Sequence, residues 1–523
     1  MADRTFWLAL AAACAMSTSA RAEIRALVVG IDRYQHISSL EGAVADAEDI
    51  AGSLTQLGVT DLTLVRDGEA DRAALERAWE AIVDRASPGD QLILTYAGHG
   101  AQLPETVGGS EADGMDEFLV LPGFDVAGSA SLERLVDDEL NRWFKMAEAK
   151  GARVLAAVDA CHSGTAFRKL DQPAAEVRYR YVELPAGTVL EEIPTDARMR
   201  SIGRDELDNL TFISGAQDDQ TVPELIIPDK AGLPEKRGAM SWSLARALEG
   251  AADSDRDGLL RRGELYDFVE RKVRALADAR QTPSFWPPAA RDAGLVRLSA
   301  EPQADGTMAA DGPMRLAIIR GTPSTASMMQ QRLRHTELVA HAADAELIWD
   351  ARSGEVVGAL GDVLAVDIRP DNLQPVIDKH LALRMLKLSV QAQPLKTQVL
   401  PDDGTHLAGS RVGLSIDGIG QPFLTLVNLA NNGTVQFLFP VDADPDVVQV
   451  GRPFELGPID VVAPFGADHL VALATPDAPE ELRARLRSLD QQPAALEAGR
   501  AIMENIGRQH AQIGILGIFT AAR

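Results

Sequence analysis

The chain opens, after its first two dozen residues, into a regular alternation of apolar runs and amphipathic stretches. Ile24–Ile31 (IRALVVGI) is continuously apolar apart from Arg25, the pattern of a strand buried on both faces. Apolar residues recur at helical spacing through Glu41–Leu57, Asp71–Ala86 and Asp138–Ala149. Further strand candidates are Asp61–Val65, Gln91–Ala97, Arg153–Val158 and Leu210–Ser214. Strand and helix in this order predict an α/β fold, a mainly parallel sheet with helices on both faces. Ligands of such sheets lie beyond the carboxyl ends of the strands. Two segments occupy such ends, Gly98-His99-Gly100 and Asp159–Gly164.

The pattern changes past residue 298. Ser299–Pro313 is small, polar and rich in Gly and Pro, as linkers are. Met314–Val390 mixes short strands with a helical stretch near Asn372–Leu388, and Gly413–Thr475 reads as several short strands. Phe423–Leu429 and Thr434–Phe439 flank Asn431-Asn432-Gly433, a hairpin turn signal. The predicted organisation is a leader over 1–22, a first domain over 23–298, a linker over 299–313 and a mostly-β (α+β) accessory domain over 314–523. No fixed-period repeat is present.

Composition narrows the function classes. Of the 523 residues, 46% are hydrophobic and 24% charged, ordinary for a globular chain. A net charge of −26 argues against nucleic-acid or anionic-membrane binding, since phosphates demand a positive surface. Two cysteines cannot build a disulfide framework or a paired CxxC zinc site. Met1–Ala22 reads as a secretory leader: Arg4, an apolar run over Phe6–Met16 too short to span a bilayer, and Ala20-Arg21-Ala22 at the cleavage position. An exported protein, periplasmic or secreted, with no transmembrane span is expected. The alternative is a lipid anchor at Cys14, in the loosely lipobox-like Leu10–Cys14. Cleavage after Ala22 would remove one Asp and two Arg, giving −27, and would also remove Cys14. Cys161 then stands alone, either an inert buried thiol or a nucleophile.

Its setting favours chemistry. Cys161 lies in Asp159-Ala160-Cys161-His162-Ser163-Gly164 directly after an apolar strand, where a thiol is expected to be exposed at the sheet edge. His99 lies 62 residues upstream in Tyr96-Ala97-Gly98-His99-Gly100, also just past a strand end. An imidazole can take the thiol proton and return it to a leaving amine. The flanking glycines allow close substrate approach and can supply backbone donors to a developing oxyanion. His162, adjacent to the thiol, is the weaker candidate for the base.

YAGHG and DACHSG, in this order on this alternating fold, resemble the caspase-like cysteine peptidases, specifically the bacterial metacaspases. The resemblance extends over about residues 24–298. Leu40–Asp46 is similar to the family's helix-opening segment. Phe212–Gln220 and Gly238–Leu248 resemble the strand and helix of its small subunit, and Gln281-Thr282-Pro283 a closing motif. The resemblance implies a caspase-like fold, with Cys161 as nucleophile, His99 as general base and acid, and the N–H groups of Gly100 and Cys161 as oxyanion hole. Asp159, and Asp46 in the opposite strand-end loop, could converge on one pocket, and a buried carboxylate pair selects a cationic side chain. The matching aspartates of metacaspases bind Arg or Lys before the scissile bond. Polypeptides cut after Arg/Lys are therefore the expected substrates. Ala97 stands where metacaspases often carry Ser.

Calcium is the one expected cofactor; no organic cofactor is implied. Asp253–Glu264 matches D-x-D-x-D-G-x₅-E, with Asp253, Asp255, Asp257 and Glu264 as side-chain ligands and Leu259 through its carbonyl. Helical stretches, Ser241–Glu249 and Leu265–Leu276, flank it. The family resemblance adds Asp113, Asp116, Asp137 and Asp138 as a second site, whose further carboxylate falls near Arg168. Arg168, Lys169, Arg178, Arg180, Arg198, Arg200 and Arg204 cluster between the cysteine and the next strand, so an Arg-specific peptidase would find self-cleavage sites there. The alternatives are a gingipain- or legumain-like hydrolase of other specificity, and a catalytically silent calcium sensor or scaffold.

Overall fold

A computed structural model describes residues 22–104, 115–161, 178–185, 187–191, 193, 207–217, 220–228, 234–277, 281–298, 312–358, 362–389, 395–401, 405–441, 447–508 and 511–522. The leader up to residue 21, most of the linker, Asp113, His162 and the basic residues Arg168, Lys169, Arg198, Arg200 and Arg204 lie outside them.

The first half is built on β1 (Ile24–Gly30), α1 (Ala43–Gln56), β2 (Asp61–Arg66), α2 (Arg72–Arg85), β3 (Gln91–Ala97), β4 (Gly100–Pro104), β5 (Met115–Val120), β6 (Arg134–Val136), α3 (Asp137–Ala149), β7 (Arg153–Asp159), β8 (Leu210–Ser214), β9 (Glu224–Pro228), β10 (Pro234–Gly238), α4 (Ala239–Arg246), β11 (Leu259–Arg261), α5 (Arg262–Leu276), β12 (Ser284–Trp286) and β13 (Gly294–Arg297). The central sheet runs β12-β8-β7-β3-β1-β2, parallel except for β12. Successive residues of β1 point to opposite faces: Leu27 and Val29 join one core with Trp79 and Trp143, whereas Ala26 and Val28 join the other with Ile50, Trp242 and Phe268. Helices α2 and α3 therefore cover one face and α1, α4 and α5 the other. In α1 the buried Ala43, Ala47, Ile50, Ala51 and Leu54 form one helical stripe. Asp71 caps α2 by accepting from the Ala74 N–H at 2.8 Å.

The second half holds β14 (Met314–Ile319), α6 (Pro323–Arg332), β15 (Thr336–Val339), β16 (Leu347–Asp350), β17 (Glu355–Gly358), β18 (Val363–Ala365), α7 (Leu373–Ser389), β19 (Lys396–Leu400), β20 (His406–Leu407), β21 (Arg411–Asp417), β22 (Phe423–Leu429), β23 (Val435–Phe439), β24 (Phe454–Asp460), β25 (Gly466–Thr475), α8 (Glu480–Ser488), α9 (Ala495–Arg508) and β26 (Gln512–Ala521). One ten-stranded mixed sheet dominates it, with β19-β21-β24 as a smaller one. The hairpin turn falls where the Asn-Asn-Gly signal puts it: Gly433 has φ 84° and donates to the Ala430 carbonyl at 2.9 Å. The halves meet where α5 packs on α7, and Lys272 Nζ donates to the Leu388 carbonyl at 2.8 Å. Among the described residues no helix is long and apolar enough to cross a membrane.

Candidate active site

β3 and β7 are neighbours, with Ala97 opposite Asp159 at their carboxyl ends. Two residues further along each chain come His99 and Cys161, which is why a spacing of 62 residues closes into one site. The His99 ring is buried, and its Nε2 lies 2.9 Å from the Ser38 carbonyl. A carbonyl can only accept, so the neutral ring carries its proton on Nε2 and presents the Nδ1 lone pair. Nδ1 is buried and has no hydrogen-bond partner among the described residues. Two tyrosines fix the backbone here: Tyr34 Oη accepts from the His99 N–H at 2.8 Å, and Tyr96 Oη contacts the carbonyls of His99 and Val120 at 2.8 and 2.7 Å. Burial holds the His99 imidazole down at about 4, with the Ser38 carbonyl opposing.

Cys161 is not exposed at a sheet edge as expected. β7 is an inner strand and the residue is 1% accessible, because chain segments 178–182 and 220–224 lie over it. Burial pushes the thiol up to about 12; the Val222 N–H, aimed at Sγ, pulls the other way. At neutral pH the thiol and the imidazole are both neutral, each two residues past the end of its own strand.

Beside the pair is an acidic pocket. Asp159 ends β7; Asp46 sits not in a loop, as expected, but in the first turn of α1. Both are fully buried, and they converge on the guanidinium of Arg180, itself fully buried. Asp46 Oδ2 lies 2.5 Å from Nη2, Asp159 Oδ2 3.0 Å from Nη1, and Glu224 Oε1 3.7 Å from Nη2. Backbone donors orient the acids: Gly238 N–H to Asp46 at 2.8 Å, Ser241 N–H to Asp159 at 3.0 Å, and Gly42 N–H to Glu224 at 2.7 Å. Burial raises the Asp46 carboxyl to about 8 against the pull of Arg180. Burial alone would depress Arg180, but Asp159, Asp46 and Glu224 hold it above its ordinary value. Gly238 belongs to the pocket as well, since a Cβ there would sit 2.1 Å from Asp159 Oδ2 and 2.5 Å from Arg180 Nη1. Sequence reasoning missed Glu224 and Gly238.

The main chain around Arg180 is extended through the site. Its N–H donates to the Val222 carbonyl at 2.9 Å, and the Arg178 carbonyl accepts from Glu224 N–H at 2.9 Å. Tyr179 bridges Pro223 in antiparallel fashion. The Arg180 carbonyl accepts two bonds at 3.0 Å, from the N–H groups of Gly100 and Cys161. Beyond it the Val182 N–H donates to the Gly100 carbonyl at 2.9 Å. Arg178 reaches the Ser39 carbonyl at 2.8 Å and Glu41 at 3.1 Å. The two backbone donors expected to form an oxyanion hole are thus both directed at one carbonyl, that of a residue whose cationic side chain fills the acidic pocket. A carbonyl so placed is polarised for attack from the thiol side.

The acidic loop between α4 and α5 takes the turn its sequence prescribes, with Arg256 at φ 60° and Gly258 at φ 77°. Oxygens of Asp253, Asp255 and Asp257 lie within 4.8 Å of one another. Glu264 is outside that trio; its carboxylate accepts from Ser254 N–H at 2.9 Å and Arg261 N–H at 3.0 Å. Leu259 begins β11, which pairs with β13. Three hard carboxylate donors suit calcium in kind, but Arg261 already pairs with Asp255 at 3.2 Å and Asp257 at 2.5 Å. Asp116, Asp137 and Asp138 form no such group among the described residues.

Comparison with known proteins finds a family match within the first half. Residues 24–170 match the family model described as metacaspase, peptidase C14 domain. Over 150 residues the chain is 34% identical to Metacaspase-1 of Saccharomyces cerevisiae (strain YJM789), covering 27% of this chain and 33% of that protein. Over 152 residues it is 34% identical to Metacaspase-1A of Aspergillus terreus, covering 27% and 36%. The chain therefore spans about a third of the length of these relatives. Among solved structures, protein GSU0716 from Geobacter sulfurreducens aligns over 53% of this chain and 98% of its own, with 24% identity and a TM-score of 0.35.

Proposed function

We propose that this chain, metacaspase-like over residues 24–170, is a cysteine endopeptidase that cuts polypeptides after Arg or Lys and first of all cuts itself between Arg180 and Tyr181. One observation supports this most: the Arg180 carbonyl receives both backbone donors while its side chain is enclosed by three carboxylates. His99 Nδ1 takes the Cys161 proton as Sγ attacks that carbonyl. The N–H groups of Gly100 and Cys161 meet the oxygen as it becomes negative. His99 then protonates the leaving amine, and water hydrolyses the thioester with His99 again as base. Arg and Lys are favoured because a neutral side chain would leave Asp46, Asp159 and Glu224 buried without the cation on which all three converge.

We propose calcium as a modulator held by Asp253, Asp255 and Asp257, with Glu264 and the Leu259 carbonyl completing the set. Bound there, the ion would supply the positive charge that Arg261 supplies to Asp255 and Asp257.

The test is purified protein against fluorogenic peptides ending in Arg, Lys, Asn and Asp, with calcium and with chelator, beside Cys161→Ala. Turnover of the Arg and Lys peptides that vanishes in Cys161→Ala is expected. Turnover of the Asp or Asn peptide alone would overturn the specificity, and equal signals from wild type and Cys161→Ala the whole reading.

A pH dependence follows from the pocket. Asp46 must be ionised to hold a cation, and burial has moved it up to about 8. Arg180 pulls it down even there, so in a pocket vacated for a peptide protonation persists above that value and weakens Arg binding, and the preference for Arg should grow as pH rises to that value and beyond. Citrulline is a neutral isostere of Arg, so the Arg-to-citrulline ratio of kcat/KM cancels the titration of His99 and Cys161. A ratio that stays flat from about pH 6 to 10, roughly two units either side of the raised value, would contradict this.

A further inference from the structure

The residues after Arg180 are held as closely as those before it. Tyr181 pairs with Gly100 as a parallel bridge, and its half-buried ring packs against the cluster of Cys161, Ala216 and Val222. Val182 donates its N–H to the Gly100 carbonyl at 2.9 Å and rests its side chain on the core shared by α2 and α3. Gly100 thus serves both sides of the bond, its N–H toward the Arg180 carbonyl and its C=O toward the second residue after it. A side chain on Gly100 would displace this arrangement, since a Cβ would sit 2.2 Å from the Cys161 carbonyl.

We infer that the site also selects the leaving side: it takes polypeptides in which Arg is followed by a large apolar or aromatic residue, and then by an aliphatic residue with a free N–H. This rests on the peptidase reading and deepens it. The wall that meets the first leaving-side residue is made of Ala216 and Val222, both buried and apolar, so a carboxylate there would lose water without gaining a partner. The second residue is held through its backbone, so an N-methylated amide at that position loses the bond to Gly100 whatever its side chain.

The experiment uses internally quenched peptides sharing one sequence through Arg and continuing Tyr-Val, Asp-Gly or Tyr-(N-methyl)Val, assayed with the full chain. In parallel, intact mass follows cleavage at residue 180 in Tyr181→Asp and Val182→Pro. Expected is a kcat/KM for Tyr-Val about ten-fold above each of the other two, and slower self-cleavage in both variants. Values within about two-fold across the three peptides would overturn the inference while leaving the peptidase standing. Cleavage of none of them would instead overturn the peptidase reading, a distinguishable result.

Discussion

Arg180→Ala is expected to abolish cleavage after residue 180, to lower the melting temperature by several degrees and to open Cys161 to alkylation. The guanidinium is fully buried among Asp46, Asp159 and Glu224, so its loss leaves three buried acids, with Arg237 3.9 Å from Asp46 and Lys236 acting on Glu224 as nearby counter-charges. Removing one partner of a buried ion pair typically costs about 3–5 kcal/mol, and water entering the vacated pocket recovers part of that. At about 2–4 °C per kcal/mol for a domain of this size, a fall of several degrees remains. The deficit should depend on pH with a definite sign. A carboxyl raised in the folded state destabilises once pH exceeds its unfolded value of about 4, and does so fully above the folded value, already about 8 for Asp46 with Arg180 present. Below about 8 Asp46 is protonated in the folded state of wild type and variant alike, so the extra loss in the variant should grow as pH rises through and above about 8 and shrink on acidification. Alkylation follows from the same geometry: the thiol is held near 12 by burial, and segment 178–182 provides much of that cover. Iodoacetamide labelling followed by peptide mass, with differential scanning calorimetry at two pH values, reads all three effects. Wild-type labelling rates and an unshifted melting temperature would mean that segment 178–182 does not sit in the site.

The parts of the site written in local pattern were readable in advance, and the parts that depend on chain crossing were not. Gln91–Ala97 and Leu210–Ser214 are strands over the residues their apolar runs mark, because inner strands of a parallel sheet need continuous apolar character. His99 and Cys161 were legible for the same reason, since each follows such a strand. Asp46 was placed at the pocket through a strand-end loop although the helical spacing of Glu41–Leu57 already covers it, and it lies in the first turn of α1. Glu224 carries no local signal: it is one acid ahead of a short apolar run, brought to Gly42 only by tertiary pairing. Nor does spacing distinguish Arg180 from the six other basic residues of its segment. What singles it out is the antiparallel alignment of 178–180 with 222–224, a contact between distant chain segments. The second half was read as mostly β with one helix; α6, α8 and α9 also pack there, α8 and α9 with α7 against β22 and β25.

Asp159→Asn should reduce kcat/KM for Arg peptides about a thousand-fold while reducing it far less for citrulline peptides. Asp159 lies directly before the Ala160-Cys161 pair and accepts from Ser241 N–H at 3.0 Å, a bond that the amide oxygen of asparagine can retain. The shape of the pocket is thus kept and the charge removed. The 3.0 Å contact with the guanidinium loses its ionic character where no water screens it, at a cost of about 3–5 kcal/mol, or two to three and a half decades in rate. Because citrulline never offered the charge, its kcat/KM reports only changes in the position of Cys161. Asp46→Asn should move the Arg-to-citrulline ratio in the same direction and also lower the pH-dependent rise of that ratio, since Asp46 is the carboxyl that burial has raised. Equal losses for Arg and citrulline in Asp159→Asn would make this residue a support for the cysteine turn rather than a determinant of charge selection. The acidic pocket would then rest on Asp46 and Glu224 alone.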